Sequence, residues 1–222
     1  MKNPWIVIGV IFVVLFGGAI MYSNISAKKS NEGIVISQNI KGNPEAEVKL
    51  VEYSDFQCPA CASFQPVLEQ VMSEYGDKIS FEYKHFPLPI HPYAMPAAVA
   101  AEAAGQQGKF FEFHDLLFKN QNTWVSASVP NSLFIQYAGE LGLDIDKFKS
   151  QMSSTMLRDR VKDDTSDGRA ANLTGTPTFF LNGKKMEFDT FQAFVEQIVK
   201  AVDPTALTAS STDSTPEVKF GI

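Results

Sequence analysis

The residues best placed to do chemistry are Cys58 and Cys61, the two cysteines among 222 residues, set at Cys-x-x-Cys spacing in Phe56-Gln57-Cys58-Pro59-Ala60-Cys61. Two thiols one turn apart suit thiol–disulfide exchange. The first attacks a partner as thiolate to give a mixed disulfide, and the second, held close by, resolves it. A structural disulfide is a poor competitor, because so short a loop constrains the unfolded chain little. A structural zinc site usually needs four Cys or His ligands, and this chain offers two cysteines and three scattered histidines, His85, His91 and His114. Redox exchange is therefore expected and no metal is assigned, with Cu(I) delivery on the same two soft ligands as the rival from another class.

The flanking residues say how the pair is held. Val48-Lys49-Leu50-Val51-Glu52-Tyr53 has the β-branched and aromatic content of a strand. Phe64, Val67, Leu68 and Val71 recur at i, i+3, i+4 and i+7, the apolar stripe of a helix. The cysteines thus lie where a strand turns into a helix, so Cys58 meets unpaired N–H groups and the positive dipole end, which favour a thiolate. Pro59 costs little in a first turn, and the apolar period continues past Pro66. Glu52 shares a face with Val48 and Leu50 by the two-residue period, an unusual place for a carboxylate. Either it is a buried acid near the thiols, or it escapes to solvent and pairs with Lys84 on the next strand.

Around this centre the chain divides into segments. Trp5 to Tyr22 carries no charge and as a helix would rise roughly 27 Å, close to a bilayer's hydrocarbon thickness. Residues 1–22 are read as a retained transmembrane anchor in preference to a cleaved signal peptide, because the apolar run is long and Ile25-Ser26-Ala27 is a weak cleavage pattern. Residues 23–33 read as a polar tether and 34–203 as one folded domain, opening on a short strand at Ile34–Ile36. A strand is expected at Ile79–His85. A helical block covers about 93–157, with another helix over Asp159–Asn172. Asn182-Gly183 marks a hairpin between Thr178–Leu181 and Lys184–Met186, and Thr190–Val202 is a terminal amphipathic helix. The Thr/Ser-rich stretch 204–222 reads as disordered. A net charge of −6 and pI near 5.1 argue against nucleic acid as a partner. The histidines are read as structural and the methionines as core.

Four segments in order resemble the DsbA-like family of bacterial thiol–disulfide oxidoreductases. They are Gly42-Asn43-Pro44, Tyr53-Ser54-Asp55-Phe56-Gln57-Cys58-Pro59-Ala60-Cys61, Phe86-Pro87-Leu88-Pro89 with His91-Pro92, and Gly175-Thr176-Pro177-Thr178-Phe179. The resemblance implies an α/β thioredoxin-like fold with an inserted helical domain. It makes Cys58 the exposed nucleophile, Cys61 the sheltered resolving thiol and Pro177 a cis-proline that, with Thr176, docks extended substrate. It also makes Glu52 the buried acid that exchanges a proton with Cys61. No cofactor beyond the Cys58–Cys61 disulfide is implied. The partners would be reduced or misoxidised extracytoplasmic proteins and a membrane-bound reoxidant or reductant. The catalytic domain would stand outside the cell membrane on a single-pass anchor, working as an oxidase or, in the alternative that Thr176 keeps open, a reductase or isomerase. Ala60 departs from the histidine of the most oxidising members, so an imidazole that would help hold the thiolate is missing.

Overall fold

The structure, a computed structural model, describes residues 4–205. Helix α1 (Pro4–Asn31) is followed by β1 (Asn39–Gly42), β2 (Val48–Ser54), α2 (Pro59–Tyr75) and β3 (Ile79–His85). Helices α3 (Ala94–Gly105), α4 (Phe110–Lys119), α5 (Gln121–Val125), α6 (Pro130–Glu140), α7 (Ile145–Gln151) and α8 (Thr155–Ala170) come next. The chain then returns to β4 (Thr178–Leu181), β5 (Lys184–Lys185) and α9 (Phe191–Val202). The sheet order is β1-β3-β2-β4-β5. β2 and β3 are parallel, joined by the α2 crossover that parallel strands require, and the remaining pairs are antiparallel.

The strands' alternation decides what each face holds. Leu50, Phe81 and Phe179 enter a core with Val67, Leu68 and Val71 of α2 and Phe194 and Ile198 of α9. Tyr53, Phe86 and Leu173 form a smaller cluster on the opposite face. There α8 approaches so closely that a Cβ on Gly168 would stand 2.6 Å from the Phe86 ring, which explains a glycine inside a helix. Helix α3 is alanine-rich and buried on nearly every side, the composition of a helix at the centre of a bundle, and α4, α6, α7 and α8 pack around it. This is the thioredoxin-like sheet with a helical insert expected from the sequence.

Three boundaries differ from expectation. Ile34–Ile36 is no strand, because Val35 already has both backbone groups taken: its N–H donates to Gln106 Oε1 (2.8 Å) and its carbonyl accepts from Gln106 Nε2 (2.9 Å). The first strand begins at Asn39 instead. The polar stretch 23–33 is no tether either, since α1 continues through Asn31. The Asn31 carboxamide oxygen accepts from Ser154 Oγ (2.7 Å) and Thr155 N (3.1 Å), pairing groups at the start of α8. Helix α8 begins at Thr155, ahead of the expected Asp159, with Ser154 as its N-cap. The expectation of a disordered tail falls almost wholly on residues beyond 205, outside the described part.

Helix α1 carries the candidate membrane span. The stretch Ile11–Asn31 is long and apolar enough to cross a bilayer, and Phe12, Val13, Val14, Leu15, Phe16 and Ile20 are all exposed among the described residues.

Candidate active site

Strand β2 ends at Ser54, and four residues turn the chain into α2, whose N-cap is Cys58 and whose first residue is Pro59. This turn is fixed from several directions. Asp55 Oδ1 accepts from Gln57 N (2.7 Å), while Oδ2 accepts from Leu88 N (2.8 Å) and lies 2.7 Å from His91 Nδ1. Gln57 Oε1 accepts from Tyr93 N, and Gln121 Nε2 on α5 donates to the carbonyls of Phe56 (2.8 Å) and Cys58 (3.0 Å). The proline-rich loop and the helical insert therefore clamp the cysteine turn, an over-determination that positions reacting atoms within narrow limits.

Both cysteines are free thiols, and their environments differ. Cys58 is 7% exposed and Cys61 is 0% exposed, so Cys58 is the more open of the two but is itself buried, not exposed as expected. The Cys58 thiol is lowered to about 5, chiefly because the Cys61 thiol donates to it; burial opposes this, and Thr176 and the N–H groups of Cys61 and Ala60 assist. The helix start thus contributes, as the sequence implied, but the partner thiol contributes more. Cys61 is pushed well above the usual thiol value by burial, by its bond to Cys58 and by Glu52. At neutral pH the outer sulfur is a thiolate and the inner one a thiol.

The Thr176–Pro177 peptide bond is cis, and the Thr176 carbonyl oxygen lies 3.4 Å from Cys58 Sγ, a hydrogen bond that only the thiol form can donate. The loop therefore stands directly beside Cys58. Glu52 is fully buried on the face toward α2, between Tyr83 of β3 and Phe179 of β4 in the strand register. Burial raises its carboxyl to about 8. The escape to Lys84 does not occur: Lys84 lies on the other face, 3.1 Å from Asp167. All five residues singled out in the sequence (Cys58, Cys61, Glu52, Thr176 and Pro177) converge on one site.

The sequence did not single out Ser54 and Tyr83, which are 1% and 0% exposed and share the Glu52 face. Their hydroxyls have no full hydrogen-bond partner, nor has either Glu52 oxygen. The signal that could have found Ser54 is its spacing, two residues beyond Glu52; Tyr83 needs the register. Each histidine is engaged with a carboxylate. His85 Nε2 lies 2.8 Å from Glu102, His114 Nδ1 is 2.7 Å from Asp115, and His91 braces Asp55.

Comparison with known proteins agrees with this geometry. A family model described as Thioredoxin matches residues 35–200. Alpha-DsbA1 of Wolbachia pipientis superposes with a TM-score of 0.67 at 22% identity, covering 79% of this chain and 96% of that one. BdbD of Bacillus subtilis, in its oxidised form, gives 0.65 at 23% identity, covering 78% and 94%. At these identities the likeness speaks for the fold. Among curated proteins, the Na(+)/H(+) antiporter NhaA 1 of Salinispora arenicola is 38% identical over 148 residues, 66% of this chain and 22% of that protein. An antiporter NhaA 1 of Mycobacterium sp. (strain KMS) is 38% identical over 150 residues, 24% of its length. The chain thus spans about a quarter or less of these relatives. With residues 35–200 matched by the family model, the chain belongs to the thioredoxin family, and its fold is like that of the DsbA structures.

Proposed function

We propose that the protein is an extracytoplasmic thiol–disulfide oxidoreductase, held to the cell membrane by α1, that donates the Cys58–Cys61 disulfide to reduced protein substrates. The observation that carries this reading is the contrast between the two sulfurs. A substrate thiolate attacks Cys58, the sulfur with some exposure, and the Cys58–Cys61 bond breaks with its electron pair going to Cys61. Glu52, protonated at neutral pH, gives Cys61 the proton it needs. A second substrate thiolate then attacks the substrate sulfur of the mixed disulfide. The substrate disulfide forms and Cys58 leaves as a thiolate, a good leaving group because its pKa is low. The substrate loses two electrons and the protein's disulfide gains them. A membrane-bound oxidant would restore the disulfide. The same atoms run in reverse give a reductase or isomerase, in which Cys61 surrenders its proton to Glu52 in its ionised form, the minority species at neutral pH, and resolves the mixed disulfide.

The thiolate favours the oxidase direction even though Ala60 supplies no imidazole. A nucleophile titrating near 5, below the free value of about 8.5, stabilises the dithiol form at pH 7 and so makes the disulfide the more oxidising. The transport named for the antiporter relatives is not carried over, since the match covers so small a part of them. The test is the reduction potential of the Cys58–Cys61 pair, measured with and without Cu(I), beside transfer to a reduced unfolded protein. A potential in or above the glutaredoxin range of about −200 to −230 mV is expected, and one near thioredoxin's, about −270 mV, would assign the reductase. Tight Cu(I) binding without disulfide transfer would assign the delivery module.

A further inference from the structure

Glu52, Ser54, Tyr83 and Cys61 form a buried cluster whose oxygens lack full partners. Buried hydroxyls and carboxylates are normally paired, so a group of them left open beside a thiol calls for an explanation. Ser54 follows Glu52 by two residues on β2 and faces the same side, opposite His85 in the register, while Tyr83 stands opposite Glu52. A hydroxyl can accept a proton on one side while donating its own on the other, and Ser54 is the hydroxyl that lies between Glu52 and the turn to Cys58 on β2.

We infer that the Ser54 hydroxyl relays the proton between Cys61 and Glu52, with the Tyr83 phenol orienting it. As Cys61 loses its proton, S–H breaks and the proton passes to Ser54 Oγ while the Ser54 proton passes to the Glu52 carboxylate. The net change is a Cys61 thiolate and a Glu52 carboxylic acid, with Ser54 restored; protonation of Cys61 during disulfide donation is the reverse. Ser54 interacts with all three neighbours and lowers the pKa of each. Tyr83, raised well above the usual phenol by burial and by Glu52 and Cys61, stays an O–H donor through the working range. The titratable groups facing this cluster are Asp55 and Cys58 from the turn into α2, His85 from β3 and His114 from α4, with uncharged Phe179 from β4. The inference rests on the role given above to Glu52 as Cys61's proton partner.

The experiment is single-turnover mixing of the reduced protein with a fluorescent peptide disulfide, which separates attack by Cys58 from resolution by Cys61. Ser54→Ala should slow resolution by at least about 10-fold, raise the midpoint of its pH profile and leave the first phase unchanged. Ser54→Thr, which keeps the hydroxyl, should restore the rate to within about threefold of the original. In mixtures of H2O and D2O, the dependence of the resolution rate on isotope fraction should be curved for the native protein, as two protons move together, and linear for Ser54→Ala. If Glu52→Gln slows resolution and Ser54→Ala does not, the relay is overturned while Glu52 keeps its role. If neither variant changes resolution, both fail.

Discussion

Strands β2 and β3 bury polar groups on both faces, in opposite ways. Toward α8, Lys84 Nζ stands 3.1 Å from Asp167 and 3.9 Å from Asp164, Arg160 pairs with Asp164, and Asp164 also accepts from His85 N at 3.1 Å. Lys84, Arg160, Asp164 and Asp167 each have an opposite charge there, and Glu82 on the same face accepts from Gln38 Nε2 at 3.3 Å. Toward α2, Glu52, Ser54 and Tyr83 have neither an opposite charge nor a full hydrogen bond. A paired buried charge is fixed in its ionisation and serves the fold. An unpaired buried acid has a raised pKa, so it can gain and lose a proton near neutrality, which serves chemistry. The lesson of one sheet with two such faces is that missing pairs, not present ones, mark the working side.

The contrast breaks most completely at the sulfurs. Cys58→Ser should abolish exchange, whereas Cys61→Ala should retain attack and accumulate mixed disulfides, seen on non-reducing gels as adducts that vanish with reductant. On the working face, Glu52→Gln should slow Cys61-dependent resolution by about 100-fold while leaving attack by Cys58 nearly unchanged. The same substitution should stabilise the protein. Because the native carboxyl titrates near 8 and the unfolded one near 4.5, the native state binds more protons, and stability falls as pH rises between those values. Denaturant unfolding should therefore show Glu52→Gln more stable by about 3 kcal/mol at pH 7 and equal to the original below about pH 4. On the paired face the signs reverse: Asp164→Ala should cost about 2–4 kcal/mol, since Arg160 and Lys84 lose a buried partner, with the rate of disulfide exchange unchanged. Asn31→Ala, at the junction of α1 and α8, should cost about 1 kcal/mol, detectable as a shift in thermal midpoint.

The sequence made legible what local pattern determines. The bounds of β3 and the Asn182-Gly183 turn, with φ of 50° and 77°, follow from alternation and turn chemistry. Cys58 and Cys61 follow from their spacing, and Glu52 from its place in an apolar period. What was not legible depends on partners distant in sequence. Val35 has strand composition, but Gln106 holds its backbone away from the sheet. Ser23–Asn31 has linker composition, but docking of Asn31 on α8 keeps it helical. Tyr83 gains its place only when β2 and β3 align, and Asp55 joins His91 only when the proline loop folds back.

The central claim is the asymmetry of the two thiols, and the most direct measurement is the rate of alkylation of each as a function of pH in the full-length reduced protein, with each site followed by mass spectrometry. Cys58 should react with a midpoint near 5, and Cys61 should stay silent until the pH is well above the ordinary thiol range. Two cysteines titrating together near 8.5, or Cys61 reacting first, would contradict the account.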